Sequence, residues 1–166
     1  MNLLLRVIWI LLTASWRGRL KPLDESLVRL MVLPNDLDIH IHMNNGRFLS
    51  VMDLGRLDLM ARCGLGKLAL QQRWIPMVGA ATIRYRRPLK LWQRFTLKTN
   101  IVYWDDKWFY LTQSFESKGE VVATARIKGL LRSQQGNIAP QVALVALGFP
   151  ELPPPPPPAD LEHWSP

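Results

Sequence analysis

The chain has 166 residues and 19.1 kDa, enough for one domain with a buried core and no disulfide staples. Its 48% hydrophobic and 20% charged composition, with mean hydropathy near zero, excludes a disordered chain and a multi-spanning membrane protein. A single cysteine, Cys63, rules out an internal disulfide and a multi-thiolate metal site, and 21 Lys plus Arg against 13 Asp plus Glu give +8, which suits an anionic partner.

The first 20 residues carry an apolar stretch that Arg6 interrupts and Arg17 closes, shorter than the ~20 apolar residues of a spanning helix. Arg6 lies within the run and Trp16 follows Ser15, unlike a secretory signal, whose charge precedes its apolar run and whose cleavage site is small. Residues 1–25 therefore read as an apolar N-terminal helix. Two placements stay open for it. One is an interfacial helix, with Trp9 and Trp16 at headgroup level and Arg6, Arg17 and Arg19 near anionic lipid. The other is a helix packed on its own domain or on a dimer partner.

Residues 26–33 read as a strand ended by Pro34, and a polar loop follows over 35–45. Over 45–63 the apolar residues Phe48, Leu49, Met52, Leu59 and Met60 recur at helical spacing, with Asn44 or Asn45 as N-cap and Gly64 as the stop. Gly55 at the centre of this helix costs about 1 kcal/mol against alanine, so it points to close backbone packing. Residues 76–86, 95–104, 108–116 and 121–132 have strand character. Asp105-Asp106 and Lys118-Gly119 supply turns that join the last three as an antiparallel meander. A strand, a helix and four antiparallel strands make an α+β fold in which a long curved sheet wraps one central helix, because only the sheet can cover the helix's apolar stripe.

Residues 140–147 form a short helix, and the six prolines of 153–158 form a polyproline II spacer that docks Leu161 and Trp164 on the domain. The chain thus divides into the N-terminal helix (1–25), the central domain (26–135), and a C-terminal helix with a proline-rich arm (136–166).

The densest set of chemical side chains is Asp36, Asp38, His40, His42, Asn44 and Asn45, in the loop between first strand and helix. A helix start offers unpaired N–H groups and a positive dipole end, so it polarises a carbonyl oxygen without a metal. Asp38, six to seven residues before the cap, loops back as base or nucleophile.

The run Asp36-Leu-Asp38-Ile-His40-Ile-His42-Met-Asn44-Asn45-Gly-Arg47-Phe48-Leu49 resembles the D-x-D-x-x-x-H-x-N-N-x-R-Y-L pattern of 4-hydroxybenzoyl-CoA thioesterase-like hotdog proteins. Trp104-Asp-Asp106, Trp108-Phe-Tyr110-Leu111 and the closing Pro-Ala-Asp160-Leu-Glu-His163-Trp164 make the chain most similar to the branch of thioesterase superfamily member six. The resemblance covers about residues 28–132 and implies a hotdog fold, hydrolysis of acyl-CoA or a related thioester without a cofactor, and a homodimer or homotetramer. It places Asp38 at the acidic nucleophile or general base, the Asn45 amide at the carbonyl-polarising helix start, and His42 at the histidine before the paired asparagines, with Asn44 beside it. Ile41 departs from the pattern, since many relatives carry glycine there.

Arg84, Arg86, Arg87 and Lys90, in a stretch free of acids, together with Arg47, are candidates for the coenzyme phosphates; the plainer reading of the three arginines is a solvated strand face. Asp38 has a plainer reading as a turn cap or an ion pair with Arg47. Asp53 and Asp58 have theirs as helical pairs with Arg56 and Arg62. Competing functions are an acyl-thioester dehydratase using His40 or His42, and a non-enzymatic membrane-associated scaffold that binds acyl groups or lipid. The basic stretch has no nucleic-acid recognition motif, so nucleic acid is not an expected partner. The expected location is cytoplasmic, peripheral at an anionic membrane surface.

Overall fold

The computed structural model describes residues 2–164. Its elements are α1 (Asn2–Ala14), β1 (Ser26–Met31), a 3₁₀ turn (Pro34–Asp36), α2 (Asn45–Cys63), α3 (Leu65–Gln72), β2 (Ile75–Tyr85), β3 (Arg94–Trp104), β4 (Phe109–Ser117), β5 (Glu120–Ser133), β6 (Gly136–Ile138), α4 (Pro140–Ala146) and a final 3₁₀ turn (Leu161–Trp164). The sheet is antiparallel in the order β1-β3-β4-β5-β2. β6 pairs with the end of β5, where β4 has not yet begun. This is the α+β hotdog architecture: the sheet curls around α2.

The helix lies close to the sheet because its facing residues are small or polar. A Cβ on Gly55 would overlap Thr99 Oγ1 and come within 2.8 Å of Leu97 and 2.9 Å of Gln113 Nε2. Gln113, almost fully buried, donates to Met52 O (2.9 Å) and Thr99 Oγ1 (2.8 Å) and accepts from Arg56 (2.8 Å). The two polar side chains under the helix, Gln113 and Thr99, thus have partners, as burial requires. Phe48, Leu97, Phe115, Ala123, Ala125 and Ile127 fill the rest of this seam.

Several boundaries differ from the sequence reading. The N-terminal helix ends at Ala14, not near residue 25, because the Trp16 and Arg17 amides turn back to Thr13 O and Gly18 takes a left-handed φ of 80°. A separate helix, α3, follows the Gly64 stop (φ 87°). The sheet runs past residue 135, since β6 continues it. The Lys118-Gly119 turn has positive φ at both residues, matching a tight hairpin. Beyond the prolines, Trp164 is buried against Tyr110 (5.7 Å between ring centres) beneath Arg126, which pairs with Asp160.

α1 packs along α2. Arg6, the charge inside the apolar run, is buried and grips Asp36 at 2.6 Å, donating also to Met31 O. At the far end Arg17 stands 2.5 Å from the buried Asp58, which accepts from Ser26 (2.6 Å) and Arg62 (3.3 Å). The inward face of α1 (Arg6, Ile10, Ala14) is buried. Leu4, Leu5, Ile8, Leu11 and Leu12 point outward and are exposed, with Trp9 and Trp16 beside them.

Candidate active site

The loop between β1 and α2 is built on Asp36. Its carboxylate takes Arg6 and the Leu33 amide (2.9 Å), with Arg47 Nε 3.7 Å away, and its carbonyl accepts from the Asn44 amide (2.8 Å). These bonds fix both ends of the segment between them. Inside it, Asp38 N donates to His42 O (2.9 Å) and Ile41 N to Asp38 O (3.1 Å), closing a tight turn. Ile41, which closes the turn around Ile39 and His40, has a φ of 59°, a region open to glycine but costly for a β-branched residue.

Asp38 is half-buried. Its Oδ1 accepts from the amides of His40 (2.9 Å) and His42 (3.3 Å), while Oδ2 accepts no hydrogen bond from any described residue. Partial desolvation pushes its carboxyl up, but those two amides and the nearby imidazole charges outweigh it and hold the group below its ordinary value. The side chain does cap its turn, yet one oxygen stays available for chemistry. It is not paired with Arg47, which donates instead to Asn35 O (3.0 Å) and flanks Asp36.

Asn44 is the N-cap: its Oδ1 accepts from the Gly46 amide (2.8 Å), and its carbonyl accepts from Arg47 N. The Asn45 amide, first of the helix, has no partner among the described residues, as expected of a helix start. Tyr85 donates to Asn45 O (3.0 Å) and sets its ring edge-on against Phe48, and burial raises its hydroxyl's pKa. The sequence reading missed Tyr85. Alternation along β2 could have found it, since Tyr85 lies in register with the buried Ala123, on the helix side of the sheet.

The same alternation places Arg84 and Arg86 on the opposite face, around a polar groove with Thr112, Ser114, Thr124 and Arg126. The structure therefore does not bring them to the helix start. Arg87 pairs with Glu120. Lys90 is exposed, but its backbone forms a bridge with His42, so it flanks the loop. The hydrogen bonds of His42 within the loop run through its backbone. Asp53 and Asp58 carry the helical pairs with Arg56 and Arg62. Among the described residues no His, Cys, Asp and Glu cluster could hold a metal.

An apolar chamber of about 360 Å³ begins two turns further along α2, between α2, the strand ends and α1. No local pattern in the chain points to it, because its walls come from segments distant in sequence.

Comparison with known proteins agrees with this architecture. Residues 32–164 match the family described as the thioesterase-like superfamily. Protein THEM6 of Danio rerio is 38% identical over 164 residues, covering 96% of this chain and 79% of the relative. A probable thioesterase of Saccharomyces cerevisiae is 27% identical over 120 residues, covering 70% of this chain and 52% of the relative. Among solved structures, the probable thioesterase YbaW of Escherichia coli superposes with a TM-score of 0.68 at 23% identity, covering 77% of this chain and 99% of that one. The BH1999 gentisyl-coenzyme A thioesterase gives a TM-score of 0.66 at 17% identity, covering 72% and 98%. With a hotdog sheet, a helix start open at Asn45 and these relatives, the chain belongs to the thioesterase-like superfamily.

Proposed function

We propose that the protein hydrolyses acyl-CoA thioesters, with Asp38 as nucleophile or general base and the Asn45 amide as the oxyanion donor. The observation that carries this is the contrast within one short loop. Asp38 is anchored through Oδ1 alone, and the same loop delivers the chain to an amide with no partner. A thioester carbonyl bonded to Asn45 N–H becomes more electrophilic. Asp38 Oδ2 then attacks the carbonyl carbon, forming an acyl–aspartyl anhydride and breaking the C–S bond. The coenzyme leaves as thiolate, and water cleaves the anhydride. In the alternative path Asp38 takes the proton from a water that attacks directly. Single turnover in heavy-oxygen water separates them, because only the anhydride path can carry the label into Asp38.

Release of free coenzyme thiol from a panel of acyl-CoAs tests the reading on wild type, Asp38→Asn and His42→Ala. Loss with only the aspartate supports hydrolysis as written. Loss with only the histidine turns the site toward hydration chemistry, and no turnover at any chain length favours a non-enzymatic scaffold. Arg47 and Lys90 flank the loop and are proposed for the coenzyme phosphates.

The outer edge of β2 has no strand beside it and exposes Ile75, Met77, Val78 and Tyr85. Antiparallel pairing of two such edges gives the proposed homodimer, from which a homotetramer is built by doubling. A monomer in sedimentation would contradict it. No described helix is long and apolar enough to cross a membrane. The exposed apolar face of α1, flanked by two tryptophans and Arg19, favours a cytoplasmic protein held peripherally on anionic lipid. Flotation with vesicles containing phosphatidylglycerol, lost in the Ile8→Glu/Leu12→Glu double variant and weakened by salt, is the expected result.

A further inference from the structure

The apolar chamber beside α2 has a definite relation to the helix start. At 100° per residue, Asn45, Leu49, Asp53, Arg56, Met60 and Cys63 fall on one stripe of α2. None of the six is fully buried, whereas Val51, Leu54 and Asp58 on the other side of the helix are. The stripe begins at the proposed oxyanion amide and ends in the chamber, whose lining includes Asp53, Arg56, Met60 and Cys63. The opposite walls are aliphatic and aromatic, from Leu111, Ile127 and Leu131 of the sheet and from Leu3 and Val7 of α1. Among the described residues its charged groups are Asp53 and Arg56, which lie on the part of the stripe nearest the helix start and pair with each other.

We propose that this chamber takes the tail of a long unbranched aliphatic acyl group, with Leu3 and Val7 of α1 forming part of its wall. The inference rests on the thioesterase reading and names its substrate class. The helix rises about 1.5 Å per residue, so Asp53 lies roughly 12 Å and Cys63 roughly 27 Å beyond Asn45. An extended chain advances about 3.5 Å per three bonds. A tail whose carbonyl sits at Asn45 therefore passes Asp53 after about ten bonds and comes level with Cys63 after about twenty-three, the length of a very long fatty acyl chain. An aromatic acyl group ends far short of the chamber. A polar substituent carried into it would meet apolar walls and lose its water-bonded partners.

Cys63 supplies a readout that needs no catalysis. It is half-buried in the chamber wall, and burial raises its thiol's pKa, so alkylation by N-ethylmaleimide is slow but measurable. Saturating docosanoate is expected to slow alkylation of the full chain about tenfold, and benzoate and acetate to leave it unchanged. Met60→Trp, which fills the chamber, is expected to abolish that protection and to lower the ratio of kcat/KM for docosanoyl-CoA over butyryl-CoA by about tenfold. Circular dichroism checks that this variant folds, and the wild-type protection stands independently of it. Protection without turnover would sink the hydrolase reading and keep the chamber. Turnover without protection by docosanoate, or equal protection by benzoate, would overturn the chamber and leave hydrolysis intact.

Discussion

Ile41 offers a direct test of the loop that carries Asp38. Its φ of 59° lies where an L-residue costs roughly 1–2 kcal/mol and glycine almost nothing. At an ordinary position alanine is more stable than glycine by about 0.5–1 kcal/mol, because glycine loses more backbone freedom on folding. Here the order should invert. Setting the left-handed cost against the entropy term leaves Ile41→Gly about 0.5–1 kcal/mol more stable than Ile41→Ala. For a chain of this size that is about 2–3 °C in Tm. Both variants remove the same side chain, which is 65% exposed, so the comparison cancels most of the lost packing. Urea unfolding of the two variants side by side gives the difference. If Ile41→Ala is the more stable, the turn does not hold this conformation in solution and the placement of Asp38 fails with it. Where the turn is as described, Ile41→Gly keeps thiol release, since the bonds to Asp38 use backbone amides that glycine also has.

Gly55→Ala gains about 1 kcal/mol of helix propensity but drives a methyl group into Thr99, Leu97 and Gln113; the balance is a loss of about 2 kcal/mol, read as a lower urea midpoint, and an unchanged midpoint would refute the close approach. Asp36→Ala strands Arg6 in the core without a counter-charge and is expected to cost about 3–5 kcal/mol, whereas Arg6→Met costs less because the Leu33 amide and Arg47 still face Asp36. The rate of thiol release should be level on its acid side down to about pH 5, because the Asp38 carboxyl lies below its ordinary value and protonates only as the pH falls further. An acid limb centred near pH 6 would instead identify a histidine as the base.

The central helix was legible to the residue, since Asn44 and Gly64 mark its ends with side-chain and backbone chemistry that local sequence carries. The meander of β3, β4 and β5 was legible for a similar reason: Asp105 folds its own turn by accepting from the amides of Lys107 and Trp108. What escaped depends on partners far along the chain. α3 is short and follows a glycine that reads as an end, and β6 has three residues. Arg84 and Arg86 looked like site residues because they cluster in sequence, yet strand alternation sends them to the face away from Tyr85 and the helix start. In the chamber, residues 3, 60 and 131 meet on no local pattern at all.

The two aspartates of the loop show how the division of labour arises. Asp36 and Asp38 are two residues apart and chemically identical, and spacing alone cannot assign them. The arginine inside the apolar helix does. Arg6 is buried on the packed face of α1, where an unpaired charge is costly, and Asp36 at 2.6 Å is its partner. Once Asp36 is fixed by Arg6, the Leu33 amide and the Asn44 bond to its carbonyl, the segment up to Asn44 is anchored at both ends without using Asp38. Only then can Asp38 remain half-exposed with one oxygen unbonded, the state a nucleophile or base requires. The charge that breaks the N-terminal apolar run is therefore part of what keeps the catalytic loop in place.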